Sequence, residues 1–427
     1  MKINIPYGKK NIELELPDDD NIELVDCLLD LYKPEVTEEE LVKAALDNPV
    51  SSKRLSELAA GKKNIVIIAS DHTRPVPSKI IMPQLLEEIR RGNPAADITI
   101  LIATGCHRKT TQDELVAKFG EKIVSEEKII IHDAFDEENL VSIGTLPSGG
   151  DLIINKLAVQ ADLLVSEGFI EPHFFAGFSG GRKAVLPGIA SKETVYWNHN
   201  AEFIANSKAR AGILDDNPIH TDMLFAARAA KLAFICNVVI NSNHEIIGAF
   251  AGDADEAHRE GCKFLASLCE KEVEPADIVI TTNNGYPLDQ NLYQAVKGMS
   301  TGEAACKDGG YIIICAACED GMGGEGFRKT FSCERTAQEI LEEIESTEKK
   351  DTLADQWQSQ IFARELVKHK IIAITELDDE TIKGMKLIPA HNIYEALKIA
   401  GYDKDIASEK SVIVIPQGIS AIIRTKE

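Results

Sequence analysis

Short unbroken apolar runs alternate along this chain with stretches whose apolar residues recur at helical spacing. Asn64-Ile-Val-Ile-Ile-Ala-Ser70 is such a run, and it predicts a strand buried on both faces. A helix is predicted around Lys79–Arg91, with Ile80, Ile81, Leu85, Leu86 and Ile89 as its apolar positions. Strand Asp97–Thr104, helix Gln112–Phe119 and strands Lys128–His132 and Asp162–Ser166 follow. Continuous apolar strands between helices point to a parallel sheet covered on each side. Leu232–Ile240 and Glu245–Ala251 flank the polar Asn241-Ser-Asn-His244 and predict a β-hairpin.

A helix carrying Ala257, Cys262, Leu265, Ala266 and Cys269 then runs into Glu270-Lys-Glu-Val-Glu-Pro275, a charged stretch read as a linker. Beyond it the alternation restarts. Strands are expected at Asp277–Thr282, Gly310–Cys315, Lys370–Thr375 and Ser411–Pro416, and helices near Arg335–Glu345, Asp355–Lys368 and Asn392–Gly401. A chain of 427 residues exceeds one ordinary core. The expected fold class is α/β, in two domains, each a mostly parallel sheet flanked by helices. The domains are placed at residues 1–270 and 276–427, with roughly the last 15 residues able to pack back on the first domain. The default active site is the interdomain cleft.

Charge narrows the partners. Lys+Arg 46 against Asp+Glu 69 gives a net charge of -23, which repels nucleic acid and anionic membrane. An anionic substrate must therefore meet locally placed cations. No apolar segment reaches transmembrane length and no secretory signal is visible. The nine cysteines lie mostly in apolar runs, the usage of a reduced, cytoplasmic protein. Cys315 and Cys318 form a C-x-x-C without a second ligand pair, and are read as buried thiols at a strand end.

In open α/β sheets ligands bind beyond the carboxyl ends of the strands, and the polar clusters of this chain fall there. The run Asn64–Ser70 leads into Asp71-His-Thr-Arg-Pro-Val-Pro77, where Arg74 offers a fork to a carboxylate or phosphate. The next strand ends in Thr104-Gly-Cys-His-Arg108, and Gly105 allows a turn that aims His107 inward. The third leads to Glu171-Pro-His-Phe-Phe-Ala-Gly-Phe-Ser-Gly-Gly-Arg-Lys183, with His199 further on. Histidines on neighbouring loops suit a two-sided acid/base reaction. A lysine at a glycine-rich loop is a candidate covalent anchor, and backbone amides of a following helix could hold a phosphate. His132 reads as structural. His72, His220, His244, His258, His369 and His391 read as solvated. In the second half, Gln294 and Lys297 share a helix face that could meet a carboxylate. No P-loop, zincin or Rossmann glycine signature is present, so a hydride acceptor would not be ordinary NAD.

Together, Asp71-His-Thr-Arg74, Thr104-Gly-Cys-His-Arg108, His173-Phe-Phe-Ala-Gly-Phe-Ser-Gly-Gly-Arg-Lys183, Trp197-Asn-His199, Tyr293-Gln294, Lys297 and Trp357 resemble the nickel-pincer lactate racemase family, in order and over nearly the whole chain. The resemblance implies nickel and a pyridinium-3,5-bisthiocarboxylic acid mononucleotide, the nickel-pincer nucleotide. Lys183 would be its covalent anchor and His199 the metal ligand. Asp71, Ser179, Gly180 and Gly181 would contact the cofactor. His107 and His173 would be the acid/base pair. Arg74, Tyr293, Gln294, Lys297 and Trp357 would bind substrate. Cofactor-biosynthesis proteins would be transient partners, and a small 2-hydroxy acid the substrate.

The implied reaction interconverts D- and L-lactate by reversible hydride transfer through pyruvate. The alternatives are racemisation or epimerisation of another 2-hydroxy acid with the same cofactor, a zinc-dependent hydrolase ligated by His107, His173 and His199, and a non-catalytic nickel- or nucleotide-binding protein.

Overall fold

The computed structural model describes residues 1–402 and 409–426. The chain divides into two compact units. The larger comprises Leu28–His199 and Lys208–Leu268; the smaller comprises Met1–Cys27, Asn200–Ser207 and Cys269–Glu427.

The larger unit is built on a six-stranded sheet, in the order Ile246–Gly252, Leu232–Ile240, Leu163–Phe169, Asn64–Ser70, Asp97–Ala103, Lys128–Ile131. Only the first pair is antiparallel; it is the predicted hairpin. Ser70 lies opposite Ala103, and Ile68 lies opposite both Leu101 and Ser166. The three central strands therefore end at one edge. Ile65, Ile67, Ile100, Val165 and Phe234 fill the core on one face with Leu85 and Ile89 of helix Ser78–Gly92. Helix Gln112–Phe119 starts on a capping box, in which Thr111 and Glu114 satisfy each other's backbone amides.

The smaller unit holds a second six-stranded sheet, wholly parallel, in the order Ile388–Pro389, Lys370–Ile374, Cys306–Cys315, Ala276–Thr282, Val412–Ile415, Ile22–Leu24. A hairpin of Lys2–Tyr7 and Lys10–Glu15 places Ile3, Ile5 and Leu14 in the same core cluster as Ile280, Ile313 and Ile372. Asn200–Ser207 joins this unit because helix Ala201–Ala205 packs there. Gln360 donates to the Ala201 carbonyl at 2.8 Å, and Lys349 pairs with Glu202 at 3.1 Å.

The α/β class and the parallel sheets are as expected. Several particulars differ. Met1–Cys27, read with the first domain, supplies a strand and a hairpin to the smaller unit. The expected linker begins with a strand, Glu270–Val273, which pairs in parallel with Ile422–Thr425. The chain's last strand thus packs within the smaller unit rather than on the first domain. Charge suggested a linker, but alternation of exposed Glu270 and Glu272 with buried Val273 suits an edge pair. His220, His258 and His369 are buried, not solvated. Cys315 and Cys318 are buried as expected, and burial pushes the Cys315 thiol up to about 12. Among the described residues no helix is long and apolar enough to cross a membrane.

Replacing Ile67, fully buried in the larger unit's core, by alanine should cost about 2–5 kcal/mol of unfolding free energy. Urea denaturation followed by circular dichroism measures it; a change below about 1 kcal/mol would mean the core relaxes around the cavity.

Candidate active site

Three loops of the larger unit leave the shared strand edge. In the first, Asp71 is 1% exposed, yet its carboxylate is fully used. Oδ2 lies 2.7 Å from His107 Nδ1, and Oδ1 accepts from the Thr73 hydroxyl at 2.6 Å and the Thr73 amide at 3.1 Å. Burial works to raise the Asp71 pKa. The hydrogen bond and charge of His107, with Thr73 and Arg74, outweigh it and hold the carboxyl below its usual range. This support for the folded state is therefore present above the ordinary carboxylate pKa and lost only as pH falls through the depressed one. A carboxylate at Nδ1 demands a proton there, so the neutral His107 ring presents Nε2 as a base. The His107 side chain is 46% exposed, so protons can reach it from water. Arg74 stands exposed on the same loop, its Nη1 3.1 Å from the Thr73 hydroxyl.

His173 is held differently. Its Nδ1 accepts from the Ala176 amide at 3.2 Å, so the neutral ring carries its proton on Nε2. The two histidines are thus bracketed in opposite tautomers. His173 packs edge-on to Phe175, centroids 4.4 Å apart, and Phe175 packs edge-on to His199 at 5.1 Å. Lys183 Nζ stands 5.9 Å from the same Phe175 ring. His199 is 5% exposed, and burial followed by the Lys183 charge pushes its pKa down to about 3. A neutral imidazole near a lysine amine suits a metal ligand beside a covalent anchor. The second loop touches this group through its backbone, the Gly105 amide donating to the Gly188 carbonyl at 2.9 Å.

The glycine-rich loop is shaped from behind. Arg182 is 1% exposed and its guanidinium donates to the carbonyls of Ala176 at 2.6 Å and Phe178 at 2.8 Å. His258 Nε2 lies 2.8 Å from the Ser179 carbonyl. Gly180 has φ +81°, and a Cβ there would meet the Phe169 carbonyl at 2.8 Å; one on Gly181 would strike the His258 ring at 2.7 Å. The Gly181 amide donates to Asn237 Oδ1 at 2.7 Å, and the Ser179 hydroxyl to Glu171 at 3.2 Å. These glycines admit neighbouring protein, and those two donors are spent inside it. Gly181–Ala184 is a single 3-10 turn, so the helix expected to offer amides to a phosphate does not follow the loop.

The smaller unit brings its candidates together on two helices. Tyr293, Gln294 and Lys297 lie half-buried on Leu292–Ala305, and Trp357 lies half-buried on Gln356–Lys368. The Tyr293 hydroxyl donates to Asp355 Oδ1 at 2.7 Å, and Gln358 donates to the Tyr293 carbonyl at 2.5 Å. Burial, then the Asp355 charge, raises the phenol pKa, so it stays protonated. With that proton committed, Tyr293 offers an acceptor, suited to a hydroxyl and not to a carboxylate. Asp355, Asn237 and His258 were not singled out from sequence; none lies in a motif, and only packing brings them here. A zinc site of His107, His173 and His199 is not formed: among the described residues no group of three or more His, Cys, Asp or Glu is placed to hold a metal.

An α/β unit that sets histidines and a lysine on loops at its strand ends has the build of an enzyme. Residues 7–212 match the lactate racemase N-terminal domain, and residues 271–423 match the lactate racemase C-terminal domain. The chain is 55% identical over 425 residues to the lactate racemase of Thermoanaerobacterium thermosaccharolyticum, covering 99% of each. It is 50% identical to that of Lactiplantibacillus plantarum, covering 99% of this chain and 100% of the other. The solved lactate racemase apoprotein of T. thermosaccharolyticum superposes with a TM-score of 0.94 at 54% identity, over 99% of this chain and 100% of that one. A Thermotoga maritima protein, at 21% identity and a TM-score of 0.66 over 92% of this chain and 100% of its own, shares the fold alone. The chain belongs to the lactate racemase family, whose members are isomerases.

Replacing Asp71 by asparagine should leave the fold intact and free His107 from its single tautomer. Nitrogen-15 spectra of the imidazole read this directly, and a ring that keeps its proton on Nδ1 would contradict the bracket.

Proposed function

We propose that this chain interconverts D- and L-lactate through pyruvate, with nickel and a pincer pyridinium mononucleotide as cofactor. The observation that carries the reading is the cluster around Phe175, where a buried, neutral His199 and the Lys183 amine lie beside the acid/base candidate His173. The residues fit such a group. Lys183 would anchor it covalently and His199, a buried neutral imidazole, would be the protein's ligand to nickel. With one protein imidazole, the remaining donors must come from the bound group, in accord with the absence of a protein-built metal cluster among the described residues. When bound, the group supplies the acceptor and donor for the hydride of the substrate's C2.

The chain's own residues handle the rest. Removing the C2 hydrogen of lactate as a proton would build negative charge beside the carboxylate; losing it as hydride, with the hydroxyl proton, leaves a neutral ketone. His107 takes the hydroxyl proton at Nε2, and Asp71 stabilises the imidazolium that results. His173 serves the opposite face as the imidazolium, giving its Nε2 proton to the oxygen as hydride returns to C2; that form carries a proton on Nδ1 as well, so the ring gives up its contact with the Ala176 amide to act. The roles reverse for the other enantiomer, and exchange with water resets the pair. Arg74, Gln294 and Lys297 are the candidates for the carboxylate, Tyr293 for the hydroxyl, and Trp357 for a wall. The residues packed around Ser179, Gly180 and Gly181 support a role for that loop in shaping the anchor lysine's surroundings.

Incubating cofactor-loaded protein with either lactate enantiomer should yield both; no interconversion by protein with verified nickel and cofactor would overturn the reading. Lys183→Ala should abolish the covalent mass adduct. His199→Ala should keep the adduct and lose nickel, read by elemental analysis. Asp71→Asn should slow racemisation on the order of 100-fold or more with nickel content unchanged. Equal nickel loss in His107→Ala, His173→Ala and His199→Ala would point instead to a metal held by all three.

A further inference from the structure

Beneath the Asp71–Pro77 loop lies a second set of charged groups that the proposed reaction does not use. Glu167, on strand Leu163–Phe169, is 3% exposed. Its Oε1 accepts from the Ser78 hydroxyl at 2.5 Å, where helix Ser78–Gly92 begins; its Oε2 is buried with no hydrogen-bond partner. Lys118, in the last turn of helix Gln112–Phe119, donates from Nζ to the main-chain carbonyl of Arg74 at 3.3 Å. Its ammonium is within electrostatic reach of two carboxylates, Glu167 and Asp71, and of the Arg74 guanidinium. Burial lowers the Lys118 pKa against the pull of those carboxylates, and it raises that of Glu167 against the pull of Lys118 and Ser78. The same helix ties down the neighbouring loop, where Glu114 receives Arg108 at 2.6 and 2.9 Å.

A lone buried carboxylate with one silent oxygen is costly, and so is a half-buried ammonium. Each is fastened to the Asp71–Pro77 loop or its end: Lys118 at the Arg74 carbonyl, Glu167 at the Ser78 hydroxyl. Their shared product is a hold on the loop that carries Arg74, whose own side chain is exposed and donates to the Thr73 hydroxyl.

We propose that Lys118, with Glu167 holding the loop's end at Ser78, is a positioning residue: it grips the Arg74 carbonyl and so fixes where that guanidinium stands to receive the substrate carboxylate. The inference rests on the substrate role proposed for Arg74 and adds two residues to it. Neither Lys118 nor Glu167 touches substrate in this scheme.

The test compares cofactor-loaded wild type with Lys118→Met, Lys118→Arg, Glu167→Gln and the Lys118→Met/Glu167→Gln double variant. Lys118→Met should raise the KM for lactate on the order of tenfold, with kcat within about threefold and nickel content unchanged. Lys118→Arg, which keeps a donor, should recover most of the loss. Glu167→Gln should raise KM by a few fold, and the double variant should be no worse than Lys118→Met, because the two act as one unit. Should Lys118→Met fold poorly, the double variant removes both charges and carries the same comparison. An unchanged KM, a loss falling equally on kcat and cofactor content, or effects that multiply in the double variant would each overturn the inference. Hydrogen exchange decides it independently of turnover: amides of residues 73–76 should exchange faster in Lys118→Met, and unchanged protection would overturn it. Wild type that fails to racemise lactate would sink the functional reading, while the exchange result still judges the clamp.

Discussion

The parallel register of three buried strands governs the larger unit's site. Asn64–Ser70 lies between Asp97–Ala103 and Leu163–Phe169, and all three end level. Each residue of strand advances about 3.3 Å, so a one-residue slip would exceed what the 2.7 Å contact of Asp71 with His107 can absorb. The same slip would turn every core isoleucine to the opposite face. The hydrophobic requirement that sets the core therefore also sets the histidine bracket. No separate device is needed to bring the first two loops together.

The third loop needs a different cause. It has little regular structure of its own, and its shape comes from a buried guanidinium. Arg182 gathers the carbonyls of Ala176 and Phe178, and burial lowers its pKa only to about 10, so it remains charged. That charge has a wider reach. After burial itself, Arg182 is the next influence holding His258 and His220 neutral. His199, some way along the chain, is kept neutral by burial and by Lys183 instead. The imidazoles of His199, His220 and His258 are thus held neutral in the interior, while the Asp71 carboxylate beside His107 stays charged.

The smaller unit repeats the logic with other chemistry. Helix Leu292–Ala305 follows strand Ala276–Thr282 by way of a loop, and Asn291 caps it by accepting from the Gln294 amide. Asp355 then commits the Tyr293 proton. A side chain that could donate or accept is reduced to one function by its neighbour, just as Asp71 and the Ala176 amide each reduce an imidazole to one tautomer.

Much of this was legible in the residues alone. Helix Gln112–Phe119 and the strand Asn64–Ser70 stand where periodicity placed them, because a run apolar on both faces and an amphipathic stripe each have one stable setting. The loops bearing Arg74, His107, His173 and Lys183 follow from where the strands stop. Sequence also placed Tyr293, Gln294 and Lys297 on one helix. Other features belong to tertiary structure. The assignment of Met1–Cys27 to the smaller unit depends on non-local strand pairing, and polar spacing gives no hint of it. The burial of His220, His258 and Glu167, the tautomers of His107 and His173, and the grip of Lys118 on Arg74 arise between residues far apart in the chain. Periodicity reports which face of an element is buried; it carries no record of which charged or polar group will be waiting there, and that pairing decides proton position and pKa.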